Sequence, residues 1–220
     1  MNMNKQGRQM VGCNRDLSPQ EAALIQPSLS NGLVSVTAAS PIFDPDAAYL
    51  AATSKIDISG LPFASLNDSI SDGDLTVAFS IPLEKLGPVP DGWATWSSPP
   101  FSEDPNPDVL YASSDTLTLE LSRPVTIFGF ELEPSPFQLL SYTADFYLGN
   151  TLVESITRDV DGAAGARLFA REDGPIDRVV ITGSAPFAIA QVRYDLAPSP
   201  STFLFLVLLI LLLILALILL

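Results

Sequence analysis

The last eighteen residues of the chain, 203–220, form an unbroken apolar run without a single polar or charged side chain. As an α-helix rising about 1.5 Å per residue, the run would be about 27 Å long, which nearly matches the ~30 Å hydrocarbon core of a bilayer. Its transfer into lipid would be favourable by roughly 5–10 kcal/mol. A domain built from the remaining residues is too small to shield every side of such a helix. The run therefore predicts one C-terminal transmembrane helix, with the lipid bilayer as a partner.

The residues just before this run predict a break between the helix and the rest of the chain. Pro198 and Pro200 restrict their predecessors to extended conformations, so we expect a linker there. A chain of 220 residues has room for one domain besides an anchor. The predicted organisation is an irregular N-terminal segment at 1–30, a β-domain at 31–196, a Pro/Ser linker at 197–202 and the transmembrane anchor at 203–220.

Between these ends, apolar side chains recur at every second position. Residues 116–121 place three leucines on one face, and residues 125–133 continue the pattern through Gly129, a candidate bulge. Gly149 and Asn150 separate two further alternating runs, as in a two-residue hairpin. Nineteen prolines and thirteen glycines suit frequent turns. About ten such strands without a long amphipathic helix predict an all-β fold, an antiparallel β-sandwich of jelly-roll-like type.

Composition excludes several classes of function. The chain has no histidine, and Cys13 is its one cysteine, which excludes histidine-based triads, internal disulfides and cysteine-rich metal sites. A formal net charge of −14 argues against nucleic acid as a partner, because a phosphate backbone needs a cationic surface. Nucleophile-elbow, phosphate-loop and dinucleotide-binding motifs are missing as well. We expect no enzyme. A hydrolase using two carboxylates is the weakest alternative, because some pair is always available among 25 acidic residues.

Both tryptophans lie in the longest stretch without strand character, residues 81–108. Trp93 and Trp96 are followed closely by Tyr111, and acidic and amide side chains lie among them. Aromatic rings beside such groups can stack on sugar rings and hydrogen-bond to their hydroxyls. These three residues are the predicted ligand-binding site, with glycans as the ligand. The alternative is that the tryptophans cover the core, as large aromatic residues in long loops commonly do.

Three aspartates, Asp68, Asp72 and Asp74, cluster in a segment with the composition of a turn. Such clusters occur in calcium-binding loops. The segment is not an EF-hand, because Ile70 occupies the third ligand position and Phe79 the twelfth, where a glutamate is needed. No cofactor is expected otherwise. Calcium bound to these three carboxylates is one prediction, and a solvated turn is the alternative.

Four segments of the chain follow one another in an order that is typical of a known protein family. They are residues 126–134 with their Phe-Gly-Phe strand, 143–147, 162–170 and 187–194, which ends in Arg-Tyr. The stretch that contains them, 93–194, resembles the sandwich domain of bacterial PEP-CTERM-type surface proteins. The resemblance implies a secreted or envelope-associated domain with a structural or adhesive role, and it carries over no catalytic residues.

The tail is similar to the sorting signal of the same family. Pro198-Ser199-Pro200 precedes the apolar run as Pro-Glu-Pro does, with Ser199 in place of the glutamate and no arginine cluster after it. The resemblance places the domain at the cell surface. Lys5 and Arg8 are not followed by the apolar region of a signal peptide, so a complete N-terminus would instead leave the domain on the cytoplasmic face. The leading interpretation is a non-enzymatic, membrane-anchored structural or adhesive domain, and a carbohydrate-binding module is the second.

Overall fold

The computed structural model of the protein describes residues 40–197. These residues form eleven β-strands and one short helix, and each strand pairing is antiparallel. The prediction of an antiparallel all-β fold is confirmed for this part of the chain. The elements are β1 (Ser40–Ile42), α1 (Ala47–Ala52), β2 (Ser54–Lys55), β3 (Leu66–Ser71), β4 (Thr76–Leu86), β5 (Val109–Ala112), β6 (Thr116–Pro134), β7 (Leu139–Leu148), β8 (Thr151–Asp161), β9 (Arg167–Glu172), β10 (Ile176–Thr182) and β11 (Phe187–Leu196).

Three of the predicted segments fall largely or wholly outside these residues. They are the irregular segment at 1–30, the linker at 197–202 and the transmembrane helix at 203–220. Within residues 40–197, no helix is both long and apolar enough to cross a bilayer.

Two long strands, β4 and β6, each take part in two layers of sheet. The first half of β6 lies between β4 and β10, and its second half lies between β9 and β11. Likewise β4 pairs first with β6 and then, near its end, with β5. One layer therefore has the order β3-β4-β6-β10-β7-β8, and the other has the order β1-β9-β6-β11-β5-β4. Strands that pass from one layer into the other form the corners of packed sheets.

The main core lies between these layers, and β6 contributes to it along its whole length. Its inward side chains follow the period of two expected for a strand, but the phase changes where the strand passes between layers. Each apolar side chain buried in this way contributes about 1.5–3 kcal/mol. The fully or almost fully buried core residues of β6 are Leu117, Leu119, Leu121, Val125, Phe128, Phe130 and Leu132.

Gly129 lies opposite a bulge but does not form it. The extra residue is in β11, between Ala190 and Arg193, where Gln191 has a positive φ of 52°. A Cβ at position 129 would clash with the Tyr49 hydroxyl of α1 and with Cβ of Ala170. The prediction of a bulge at Gly129 is therefore wrong. The glycine instead allows α1 to pack closely against the sheet.

The hairpin predicted around Gly149 and Asn150 is present. Leu148 of β7 pairs with Thr151 of β8, and Gly149 has a φ of 56°, which a residue without Cβ adopts readily. Helix α1 was not expected from the sequence. Asp46 caps it by accepting a hydrogen bond from the Tyr49 backbone N–H at 2.8 Å.

Candidate functional site

The long loop at residues 87–108 covers the outer face of the second layer, so the end of β6 is buried on both faces. Trp96 belongs to this loop, and its ring packs between the loop and the sheet, where it is 4% exposed. Small side chains of the sheet and of the turn before β9 leave room for its ring. They belong to a second apolar cluster made of Val89, Trp96, Val109, Ala166, Ala188 and Ala190, with Leu86 and Trp93 packed against it.

Each tryptophan is held by a buried carboxylate of β6. Trp96 Nε1 donates to Glu131 Oε2 at 2.7 Å, and Trp93 Nε1 donates to Glu133 Oε2 at 2.6 Å. Glu131 and Glu133 are two positions apart, so their side chains share the outer face of the strand. Both are completely buried, and a buried carboxylate needs donors of this kind. The tryptophan loop is thus fastened to the sheet at two points.

Backbone N–H groups donate further hydrogen bonds to both carboxylates. Oε1 of Glu131 accepts from the Glu103 backbone N–H at 2.6 Å, and Oε1 of Glu133 accepts from the Gly165 backbone N–H at 3.2 Å. Burial nevertheless dominates over these hydrogen bonds and raises the pKa of Glu131 and of Glu133 to about 7. These two glutamates therefore change charge near neutral pH.

A third carboxylate, that of Glu103 in the loop, has a lowered pKa instead of a raised one. Glu103 accepts from Arg193 Nε at 2.7 Å and Nη2 at 3.0 Å, and from Lys55 Nζ at 3.0 Å. Burial opposes ionisation of Glu103, but the hydrogen bonds from Arg193 and Lys55 outweigh it and hold its pKa below the ordinary value. This ion pair ties the end of the loop to β11 and β2.

Trp93 also forms one side of an open cleft. Its ring lies beside that of Tyr111, with centroids 5.9 Å apart and planes tilted by 41°. The cleft has a volume of about 280 Å³. Phe137, which is 65% exposed, contributes a third aromatic ring. The residues around the cleft are Glu84, Leu86, Gly92, Trp93, Ala94, Thr95, Tyr111, Pro134, Ser135, Phe137 and Gly162.

The structure brings together two of the three residues predicted to bind a ligand. Trp93 and Tyr111 line the same cleft, whereas Trp96 lies in the buried cluster and does not line it. The sequence prediction missed Glu84 and Phe137. Glu84 pairs in register with Tyr111, and this cross-strand relationship is what places it in the cleft.

The three aspartates predicted to bind calcium belong to β3 and to the turn after it. Asp68 lies within β3, in a segment expected to be a loop. Asp72 Oδ1 accepts from the backbone N–H groups of Asp74 and Leu75 at 3.0 Å each, and its Oδ2 accepts from the Tyr194 hydroxyl at 2.5 Å. In the part of the chain that the structure describes, no group of three or more acidic, histidine or cysteine side chains is placed to hold a metal ion. Calcium binding by these three carboxylates stays a prediction.

Comparison with known proteins gives distant structural likenesses. No family model and no curated protein matches the chain. CsCBM6-3 from Clostridium stercorarium, solved in complex with cellobiose, is similar over 47% of this chain and 82% of its own, with 10% identity and a TM-score of 0.28. CBM29_1, a family 29 carbohydrate-binding module from Piromyces equi, is similar over 64% of this chain and 88% of its own, with 12% identity and a TM-score of 0.30.

A third likeness is to the enzymatically active domain of tailspike protein 4 from bacteriophage CBA120. It covers 74% of this chain and 20% of the tailspike chain, with 13% identity and a TM-score of 0.27. All three TM-scores are too low for the likeness to bear on the function of this chain.

Proposed function

We propose that this protein is a membrane-anchored, jelly-roll-like β-sandwich of the bacterial cell surface that adheres to glycans through the cleft between Trp93 and Tyr111. The observation that carries the proposal is that the Trp93 ring is fixed in position and still partly exposed. Its indole N–H is tied to Glu133, while its ring stays partly exposed beside Tyr111. An aromatic ring fixed in this way is ready to receive the apolar face of a sugar.

Pre-organisation is the physical reason why such a ring suits binding. A ligand that meets an immobilised ring does not have to immobilise it, so less conformational entropy is lost on association. Clefts of this type combine apolar walls with few polar groups that orient the ligand. Here Trp93, Tyr111 and Phe137 supply the apolar surface, and Glu84 and Ser135 supply the polar groups.

A second cavity, of about 180 Å³, is less suited to a sugar. It lies between β2, β11 and the segment before β5, and no aromatic side chain among residues 40–197 lines it. Lys55 on its rim is already engaged with Glu103 and with the Gln191 side chain. The aromatic cleft is therefore the better candidate.

The geometry also supports a role without catalysis. Hydrolysis by two carboxylates needs a pair on either side of the scissile bond. Among the residues that line the cleft in the described part of the chain, Glu84 is the one carboxylate. Glu131 and Glu133 are neighbours on β6, but both are fully buried and hydrogen-bonded to the tryptophans, so a substrate does not reach them.

The membrane attachment rests on the sequence. The apolar run at 203–220 supports a single-pass anchor, and the family resemblance supports display of the domain on the outer face. Protease treatment of intact cells tests this topology. Degradation of the domain in intact cells is expected, and protection until the cells are lysed would place it on the cytoplasmic face.

Glycan binding is tested with the full chain in detergent on an array of oligosaccharides, followed by calorimetry. Trp93→Ala and Tyr111→Ala should each lower affinity at least tenfold, whereas Phe101→Ala should leave it unchanged. Phe101 is a matched control, because it belongs to the same loop, is 47% exposed and does not line the cleft. Absence of binding to every glycan would overturn the proposal and favour a purely structural role.

A further inference from the structure

We infer that the cleft accepts glycans without negative charge and rejects those carrying carboxylates, with Glu84 as the residue that determines this specificity. The inference rests on the proposed glycan binding and names the class of ligand at the same site. It is carried by the position of Glu84, by the lack of a neutralising partner and by the charges around it.

Glu84 is placed in the cleft by strand pairing. It lies in β4 directly opposite Tyr111 of β5, so the two side chains emerge from the same face of the sheet. Leu86, two positions further along β4, lines the same cleft. A sugar stacked on the aromatic rings would therefore have the Glu84 carboxylate at its edge.

The charge of Glu84 is not neutralised by its neighbours. Within the described part of the chain, Glu84 takes part in no salt bridge and no side-chain hydrogen bond. The next residue, Lys85, is buried on the opposite side of β4, where its Nζ pairs with Asp108 Oδ1 at 2.5 Å. Alternation along the strand thus directs the cation away from the cleft and leaves the carboxylate free.

The surroundings of the cleft strengthen the negative potential. None of the residues that line it in the described range is a lysine or an arginine. The formal charge of the chain is −14, so its longer-range field also repels anions, although salt screens this part. An anionic glycan would have to lie next to Glu84 without any cation to pair with.

A neutral glycan meets a complementary group instead. An ionised carboxylate has two acceptor oxygens, and a pair of neighbouring hydroxyls on a sugar can donate to both. The same carboxylate therefore attracts a polyhydroxylated ring and repels a uronate. Specificity of this kind depends on the repulsive element as much as on the attractive one.

The test uses matched hexasaccharides of glucose, mannose and galactose and the corresponding uronates. The wild-type protein should bind at least one neutral hexasaccharide, and its uronate counterpart should bind roughly tenfold or more weakly at low salt. This ratio should shrink at high salt, because the repulsion is electrostatic. Glu84→Gln should bring the two affinities within about threefold of each other, and Glu84→Asp should retain the discrimination.

Glu120→Gln is the matched control, since it removes an exposed carboxylate of β6 that does not line the cleft. It should leave the ratio unchanged. If no neutral hexasaccharide binds but a uronate does, and Trp93→Ala abolishes that binding, the glycan-binding proposal survives and the specificity inference is wrong. Equal wild-type affinities for a neutral glycan and its uronate would also overturn the inference, even if the Glu84 variants failed to fold.

Discussion

The indole N–H of Trp96 donates to Oε2 of Glu131 across 2.7 Å, and both side chains are almost completely withdrawn from solvent. The same relationship recurs two positions along the strand, between Trp93 and Glu133. The two pairs hold a loop that covers one sheet and shapes the cleft. The carboxylates therefore have a structural task, although two neighbouring glutamates with raised pKa values would otherwise suggest catalysis.

Trp96→Phe removes the donor to Glu131 while keeping an aromatic ring in the same space. Because a buried acceptor loses its partner, the free energy of unfolding should fall by about 2–3 kcal/mol. Glycan affinity of the folded protein should not change, since Trp96 does not line the cleft. Urea unfolding and calorimetry measure the two quantities. An unchanged unfolding midpoint would show that the hydrogen bond has no role in stability.

The stability of the domain should decrease as the pH rises from about 5 to about 8. Burial raises the pKa of Glu131 and Glu133 to about 7, from an ordinary value of 4.5. Between these two pKa values the folded protein binds more protons than the unfolded chain. The contribution of each glutamate to the free energy of unfolding is therefore fully present below the unfolded pKa, and it is lost as the pH rises through the folded pKa. Each glutamate should account for about 2–3 kcal/mol. Urea unfolding at several pH values measures the slope.

Glu131→Gln and Glu133→Gln provide the controls for this pH dependence. Each variant should remove part of the slope, because an amide does not titrate in this range. Glu103 and Asp72 do not interfere, since their pKa values are lowered and their contributions are lost only as the pH falls through the acidic range below their ordinary values. A stability that stayed constant or rose between about pH 5 and 8 would contradict the assignment.

Gly129→Ala should destabilise the domain by about 1–3 kcal/mol, because the new methyl group clashes with the Tyr49 hydroxyl and with Cβ of Ala170. Gly60→Ala is the matched control, since no atom lies within 4 Å of the position of its added Cβ. Tyr49→Phe removes one of the clashing atoms, so the double variant should recover part of the loss. Thermal unfolding of the wild type, the two glycine variants and the double variant tests this. Equal melting temperatures for the two glycine variants would show that α1 does not pack closely on β6.

Arg193→Lys should weaken the attachment of the loop to β11. Arg193 donates to Glu103 through Nε and Nη2, and its Nη1 donates to the Thr53 carbonyl at 3.0 Å. A lysine supplies a single ammonium group in place of the planar guanidinium. We expect a loss of about 1–2 kcal/mol in the free energy of unfolding. Hydrogen exchange of the Glu103 backbone N–H should accelerate, and unchanged exchange would show that the ion pair does not hold the loop.

Local sequence patterns were informative where structure is decided by neighbouring residues. The three leucines of residues 116–121 are inward-facing, and the hairpin at Gly149 and Asn150 is formed as expected. The same patterns failed at residues 67–71, where Asn, Asp and Ser have low strand propensity but pairing with β4 produces β3. They also did not reveal that the alternation changes phase within β6, because this change follows from the passage of the strand between two layers.

In the candidate site, too, some residues could be recognised from the sequence and others depended on the tertiary structure. The sequence placed Trp93 and Tyr111 among the ligand-binding candidates, since aromatic residues in and just after a long loop are recognisable without a structure. It did not separate them from Trp96, because the direction in which each ring points depends on the sheet beneath the loop. Glu84 was not recognised at all, since its role follows from its pairing with Tyr111 across two strands.

The sequence by itself determined the class of secondary structure and the apolar face of its clearest strands, because alternation is a local property of an extended chain. Only the tertiary structure decided which of the opposite faces meet water. Glu131 and Glu133 have the spacing of solvent-facing residues, yet the tryptophan loop covers them and raises their pKa values. Whether an outward side chain is covered depends on a segment that is distant along the chain, and a pattern read from neighbouring residues contains no information on that contact.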